Sequence, residues 1–402
     1  YQAEDGIRDT SRGLVGSEMC IRDRLESIFA VGVDEMSWAD LDDAHYEWPT
    51  LARTQAYRDK VYAQVVSVIE TLPLTLPITQ DSPWWVILMG IEHENIHLET
   101  SSVLIRQLPV ETIKEDLQWK ECNTFGDAPQ NELIDVKSGN AILGKNKDAK
   151  FFGWDNEYGE HLAYIPSFKA AKYLTSNHEF LEFVKDGGYS NDIFWSEEGK
   201  AWKTYMQAEH PLFWKKDANG YRLRTLSREI ELPLNWPVEV NNLEAEAFCQ
   251  WKSHKEGVAI TLPTEDEYMR VRDASGVASY LEWSIQNESI ANINMQVFAS
   301  SVPVDTYRHG DFYDVIGNVW QWTHTPIYPF DGFKVHPIYD DFSVPTFDGK
   351  HDLIKGGSWI SCGNLAIQKS RYAFRRHFYQ HAGFRYVQST YHESVAVNVY
   401  TR

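Results

Sequence analysis

The chain has 402 residues, enough for two domains with sizeable cores, and an ordinary apolar content of 43%. Its 15 Trp and 21 Tyr need packed surroundings or a binding surface, which excludes general disorder. The net charge of −20 excludes a nucleic-acid partner held through phosphates, and no apolar run approaches the ~18 residues of a membrane helix.

Residues 1–24 repeat Ile-Arg-Asp, lack periodicity and read as non-native sequence of the kind left by adapter read-through. The native N-terminus is therefore expected to be missing, and Cys20 carries no weight. Ser37-Trp38-Ala39-Asp40 has the form of a cap on a short helix. Residues 50–72 set Leu51, Tyr57, Val61, Val65 and Val68 at helical spacing. A proline-containing break leads into a second helix over 84–108. Residues 25–115 are thus expected to form an incomplete antiparallel bundle, followed by a linker over 116–140.

The second helix carries His93 and His97 four residues apart, one above the other on one face. Two imidazoles so placed are a common way to hold a first-row metal ion. A buried helix whose histidines bond to neighbours would show the same pair. His93-Glu94-Asn95-Ile96-His97 also fits the H-E-x-x-H pattern of zinc proteases, with Glu94 as general base and Glu111 or Glu115 as a downstream ligand. Glu99 lies about 200° around the helix from His97, so packing or support suits it better than ligation of the same ion. A third ligand has to come from elsewhere in the chain.

Beyond residue 140 the texture changes to short segments rich in aromatics, Gly, Pro and Asn. Residues 141–143 and 161–165 read as strands. Residues 174–185, 242–254 and 264–271 read as helices, the first capped by Thr175 or Ser176 and stopped by Gly187-Gly188. Few helices and long loops point to an irregular α+β domain over 141–390, with a tail over 391–402. The cysteines Cys122, Cys249 and Cys362 lie far apart, which fits a reducing, cytoplasmic setting.

Six signatures follow in order: Phe152-Gly153-Trp154-Asp155-Asn156-Glu157, Leu174-Thr175-Ser176-Asn177-His178-Glu179-Phe180, Leu262-Pro263-Thr264-Glu265-Asp266-Glu267-Tyr268, Gly317-Asn318-Val319-Trp320-Gln321-Trp322-Thr323, Lys355-Gly356-Gly357-Ser358-Trp359 and Gly383-Phe384-Arg385. This series resembles the formylglycine-generating-enzyme (sulfatase-modifying factor) domain, which has a C-type-lectin-like fold. Those enzymes use a cysteine pair after the Gly-Gly-Ser motif. Here Cys362 is present, but Ile367 stands in its partner's place, so copper–thiolate oxidase chemistry is not expected.

A helical region with His-x-x-x-His-x-Glu ahead of such a domain resembles the sulfoxide synthases of thiol-histidine biosynthesis, the ergothioneine (EgtB) and ovothiol (OvoA) enzymes. These join a DinB-like bundle to the lectin-like domain. The stretches 29–38, 90–102 and 371–385 look like the ovothiol branch, the 5-histidylcysteine sulfoxide synthases. The resemblance covers about residues 27–390. It implies an iron(II)- and dioxygen-dependent enzyme with cysteine and histidine as substrates, joining sulfur to C5 of the imidazole.

The resemblance assigns His93 and His97 as two of three histidine ligands. The third is expected on an earlier helix displaced by the foreign leader, and His45, the sole upstream histidine, lies outside the ligand motif. Tyr328 takes the place of the catalytic tyrosine. Arg371, Arg375 and Arg376 take substrate-contacting places, since arginine forks suit amino-acid carboxylates. Ile96 stands where ergothioneine enzymes tend to carry a polar residue, which favours the histidine-using branch. The rival readings are an ergothioneine-type synthase, a zinc protease and a non-catalytic lectin-like binding module. No glycine-rich nucleotide motif follows the domain, so methylation of the product is not expected.

Overall fold

The computed structural model describes residues 49–149, 151–277, 290–339 and 342–391. The leader, the Ser37 cap and His45 lie outside them. Helix α1, Leu51–Thr71, starts where the Thr50 hydroxyl accepts from the Arg53 N–H, and none of its residues is buried. Helix α2, Pro83–Gln107, starts at Ser82 with proline in its first turn, where the missing N–H costs nothing. Its buried residues Trp85, Met89, His93, Ile96, Glu99, Ser102, Val103 and Arg106 recur every three or four positions. That stripe packs α2 on the remainder of the chain and mixes large apolar groups with charge.

The remainder is a mixed α+β domain of short strands. Strands β1 Leu133–Val136, β2 Gly139–Leu143, β3 His161–Ile165 and β4 Phe168–Ala171 open it. β1 pairs antiparallel with β4, so the second half of the expected linker belongs to the domain. Four residues are too few to show a strand period in sequence. Helices α3 Asn177–Lys185 and α4 Glu197–Met206 follow, then the meander β5 Trp214–Asp217, β6 Gly220–Arg224 and β7 Glu229–Glu231. Helices α5 Asn242–Glu256 and α6 Glu265–Ser275 come next. α3, α5 and α6 each begin at a reciprocal capping box, Ser176 with Glu179, Asn241 with Glu244 and Thr264 with Glu267.

After the small hairpin β8 Arg308–His309 and β9 Phe312–Tyr313, the chain builds a four-stranded sheet. Its strands are β10 Trp320–Pro326, β11 His351–Lys355, β12 Tyr372–Arg375 and β13 Ala382–Gly383, in the order β12-β11-β10-β13. β10 to β12 are antiparallel, and β13 runs parallel to β10. β14, Val387–Gln388, closes back on β4. The turn into β10 needs Gly317: φ is +75°, and a Cβ would sit 2.6 Å from the Asn292 carbonyl oxygen. No helix among the described residues is long and apolar enough to cross a membrane.

Candidate metal centre

His93 and His97 meet edge to face with ring centroids 4.5 Å apart, as their helical spacing dictates. His93 is buried. Burial, with His97 alongside, lowers its pKa to about 3, and burial lowers that of His97 too. Both imidazoles are therefore neutral at neutral pH, the form that binds metal. His97 Nε2 is buried and has no hydrogen-bond partner among the described residues. An orphaned lone pair of this kind suits a missing metal ion. The two residues fit adjacent positions of one divalent ion. Among the described residues no group of three His, Cys, Asp or Glu side chains gathers at one point.

The wall facing His93 is aromatic. The Tyr339 hydroxyl lies 3.5 Å from His93 Nε2, and its ring is 5.9 Å from the imidazole. Trp154 lies 6.0 Å beyond Tyr339 and stacks on Phe342 at 3.9 Å. On the other side, His97 opens onto a cleft of about 510 Å³ lined by Glu94, Ser101, Ile105, Trp119 and Leu226 among others.

The expected tyrosine is elsewhere. Tyr328 packs beside Phe330, and its hydroxyl lies 3.4 Å from His161 Nδ1. His161 in turn bonds the buried Asp266 carboxylate at 3.0 Å. Tyr339, rather than Tyr328, is the tyrosine that lies against the histidine pair. The two are eleven residues apart, and only the path of the intervening loop separates their fates.

The arginines are likewise committed. Arg371 is buried and grips both oxygens of Glu265, while its Nη1 donates to the carbonyls of Asn156 and Tyr328. Arg376 makes a two-point pair with Asp352 and bonds Glu198 at 3.1 Å. Both forks are thus held by carboxylates of the chain itself. Arg375, half-buried at the end of β12, pairs in register with His351.

Glu99 is fully buried, and its carboxylate accepts from Trp320 Nε1, from Ser358 Oγ at 2.9 Å and from Ser361 Oγ at 2.8 Å. It therefore holds α2 to the domain, as its angle from His97 implies. Glu94 is exposed, Glu111 is exposed, and Glu115 lies 3.6 Å from Arg228. Among the described residues neither Glu111 nor Glu115 gathers with His93 and His97 as a third ligand. Cys362 is a free thiol whose pKa is pushed up to about 11 by burial and by Glu99 and Glu92, so it is no thiolate at neutral pH.

Residues 120–390 match the family described as Sulfatase-modifying factor enzyme 1-like domain. The chain belongs to that family. Hercynine oxygenase of Mycobacterium tuberculosis is 29% identical over 320 residues, covering 77% of this chain and 71% of that protein. Hercynine oxygenase of Mycolicibacterium smegmatis is 29% identical over 318 residues, covering 76% and 70%. Ergothioneine biosynthesis protein 1 of Schizosaccharomyces pombe is 25% identical over 263 residues, covering 62% of this chain and 29% of its own length. The mixed helix-and-sheet fold with a formylglycine-generating-enzyme type domain is as the sequence signatures imply.

Proposed function

We propose that this chain is a sulfoxide synthase of thiol-histidine metabolism, an oxidoreductase that joins the sulfur of cysteine to C5 of histidine with iron(II) and dioxygen. The observation that carries the reading is the neutral His93–His97 pair seated against Tyr339, within a chain whose relatives include hercynine oxygenases. The balance is simple. The thiol and the imidazole C–H each give up one hydrogen, a carbon–sulfur bond forms, one oxygen atom ends on sulfur, and the other leaves as water.

His93 and His97 would hold the iron, with a third ligand from outside the described residues. Iron(II), when bound, supplies the redox chemistry that activates dioxygen and leaves positions open for substrate. The protein's own part is definable. Burial keeps both imidazoles unprotonated. The Tyr339 phenol holds a proton beside His93 and can deliver it there. Trp154 and Phe342 keep water from that side. The cleft beside His97 admits the amino-acid substrates. The free thiols Cys122, Cys249 and Cys362 suit a reducing compartment such as the cytoplasm.

A second reading takes hercynine, a methylated histidine, in place of histidine, and the names of the bacterial relatives favour it. Against it, Ile96 is buried in the core, so this position offers no polar contact to a charged methylated amine. Competition decides between them: the iron-loaded protein is given cysteine with equal histidine and hercynine under air. The histidine adduct is expected by mass spectrometry. A hercynine adduct alone supports the second reading, and no adduct with either defeats both.

A further inference from the structure

Three charged residues on α2 recur at seven-residue spacing, Glu92, Glu99 and Arg106, and Trp85 continues the line by one more step. Seven residues are nearly two helical turns, so all four lie along one seam. Each engages a different stretch of the domain. Trp85 stacks on His336 at 3.9 Å. Glu92 accepts the Asn364 backbone N–H at 2.8 Å. A side chain at Gly363, where φ is +58°, would collide with Glu92 and Asn95. Glu99 takes the three donors given above. Arg106 pairs with Glu239, donates to the Arg224 carbonyl at 2.8 Å, and lies 3.8 Å over the Phe213 ring. His381 completes this end, its Nδ1 3.0 Å from Arg106 Nη1 and its Nε2 2.7 Å from Ser102 Oγ.

An apolar seam tolerates sliding, because one methyl contact replaces another. A seam of polar groups, each with its own fixed partner, does not. Advancing the helix by one residue turns it by about 100° and would strand a carboxylate or a guanidinium without its partner. The histidines stand beside these locks in sequence, His93 next to Glu92 and His97 two before Glu99.

We propose that Glu92, Glu99 and Arg106, with His381, are positioning residues that fix the rotation and height of α2, so that His93 and His97 address one ion beside Tyr339. The inference rests on the metal-site reading above. The test uses Co(II) as probe, titrated calorimetrically into the whole protein, with thermal unfolding measured in parallel. Glu99→Gln and Arg106→Lys keep size or charge but lose the lock. Each is expected to weaken Co(II) binding by about tenfold or more, as changes in groups supporting metal ligands do. A core variant remote from the seam, Phe248→Leu, is expected to lower the unfolding temperature while keeping wild-type affinity. Should Glu99→Gln fail to fold, Arg106→Lys carries the comparison. Wild-type Co(II) affinity in a folded seam variant, or an equal loss in Phe248→Leu, would overturn the proposal alone. A wild-type protein that takes up no Co(II) would overturn the metal-site reading and the proposal with it.

Discussion

An imidazole that stays neutral is ready to bind metal without first losing a proton, and the buried His93 and the half-buried His97 are both in that state. Replacing either with alanine should weaken divalent-metal binding more than about 100-fold, beyond the range typical of supporting groups. Equilibrium dialysis against Fe(II) or Co(II) checks this. Tyr339 gives a second expectation at the same scale. Tyr339→Phe should keep metal uptake and slow product formation by about 100-fold, the scale of a lost general acid or base. Measured as product formed in a single turnover of the iron-loaded protein, Tyr328→Phe should be nearly silent. The reverse order would restore Tyr328 to the site. Arg371 belongs with the fold: Arg371→Ala leaves Glu265 buried beside Lys355 with half its compensation and should cost about 3–5 kcal/mol of stability. Denaturant titration measures it, and the protein that remains folded should keep its affinity for cysteine.

Among the elements, α2 carries both the candidate ligands and the means of docking them. Trp85 anchors its first turn, stacked on His336 and Phe152, and is essentially inaccessible. Trp85→Ala should cost about 3–5 kcal/mol, as loss of a large buried aromatic does. Helix α6 and strand β11 are tied by the Glu265–Lys355 pair at 2.9 Å. Burial pushes the Glu265 carboxyl up, but Arg371 and Lys355 more than reverse this and hold its pKa at about 2. An unfolded glutamate titrates at roughly 4.3, so the folded state favours the charged form. The stabilisation is complete above that value and is lost as the pH falls toward about 2. The thermal midpoint should therefore drop between about pH 4.5 and 2.5, with a shallower slope in Glu265→Gln. An unchanged slope in that variant would remove Glu265 from the acid response.

At the scale of the whole molecule, the helical region and the domain act as one unit, because the helix supplies the imidazoles and the domain supplies Tyr339 and the partners of Glu99. Part of this was legible in the chain. The His93–His97 spacing and the Ser176 cap are local signals, and they mark the pair and the start of α3. α4 is harder to read because Gly199 stands where α3, α5 and α6 carry the Glu of a capping box, so Ser196 alone marks its start. β11 is buried throughout, so it shows no alternation to read. The partners of Arg371 and Arg106 lie more than a hundred residues away, at Glu265 and Glu239. Residue type alone could not tell a substrate fork from a structural ion pair. His381 lies within the 371–385 stretch, but its role appears only once β13 brings it against α2.

In the proposed reaction, iron held by His93 and His97 lets this chain join cysteine to histidine at the expense of dioxygen. The most direct measurement supplies the iron-loaded protein with both amino acids under isotopically heavy dioxygen and weighs the product. A cysteine–histidine sulfoxide carrying one heavy oxygen atom is expected, with the second in water, and no product from His93→Ala or His97→Ala. A product without the label, or undiminished product from those variants, would contradict it.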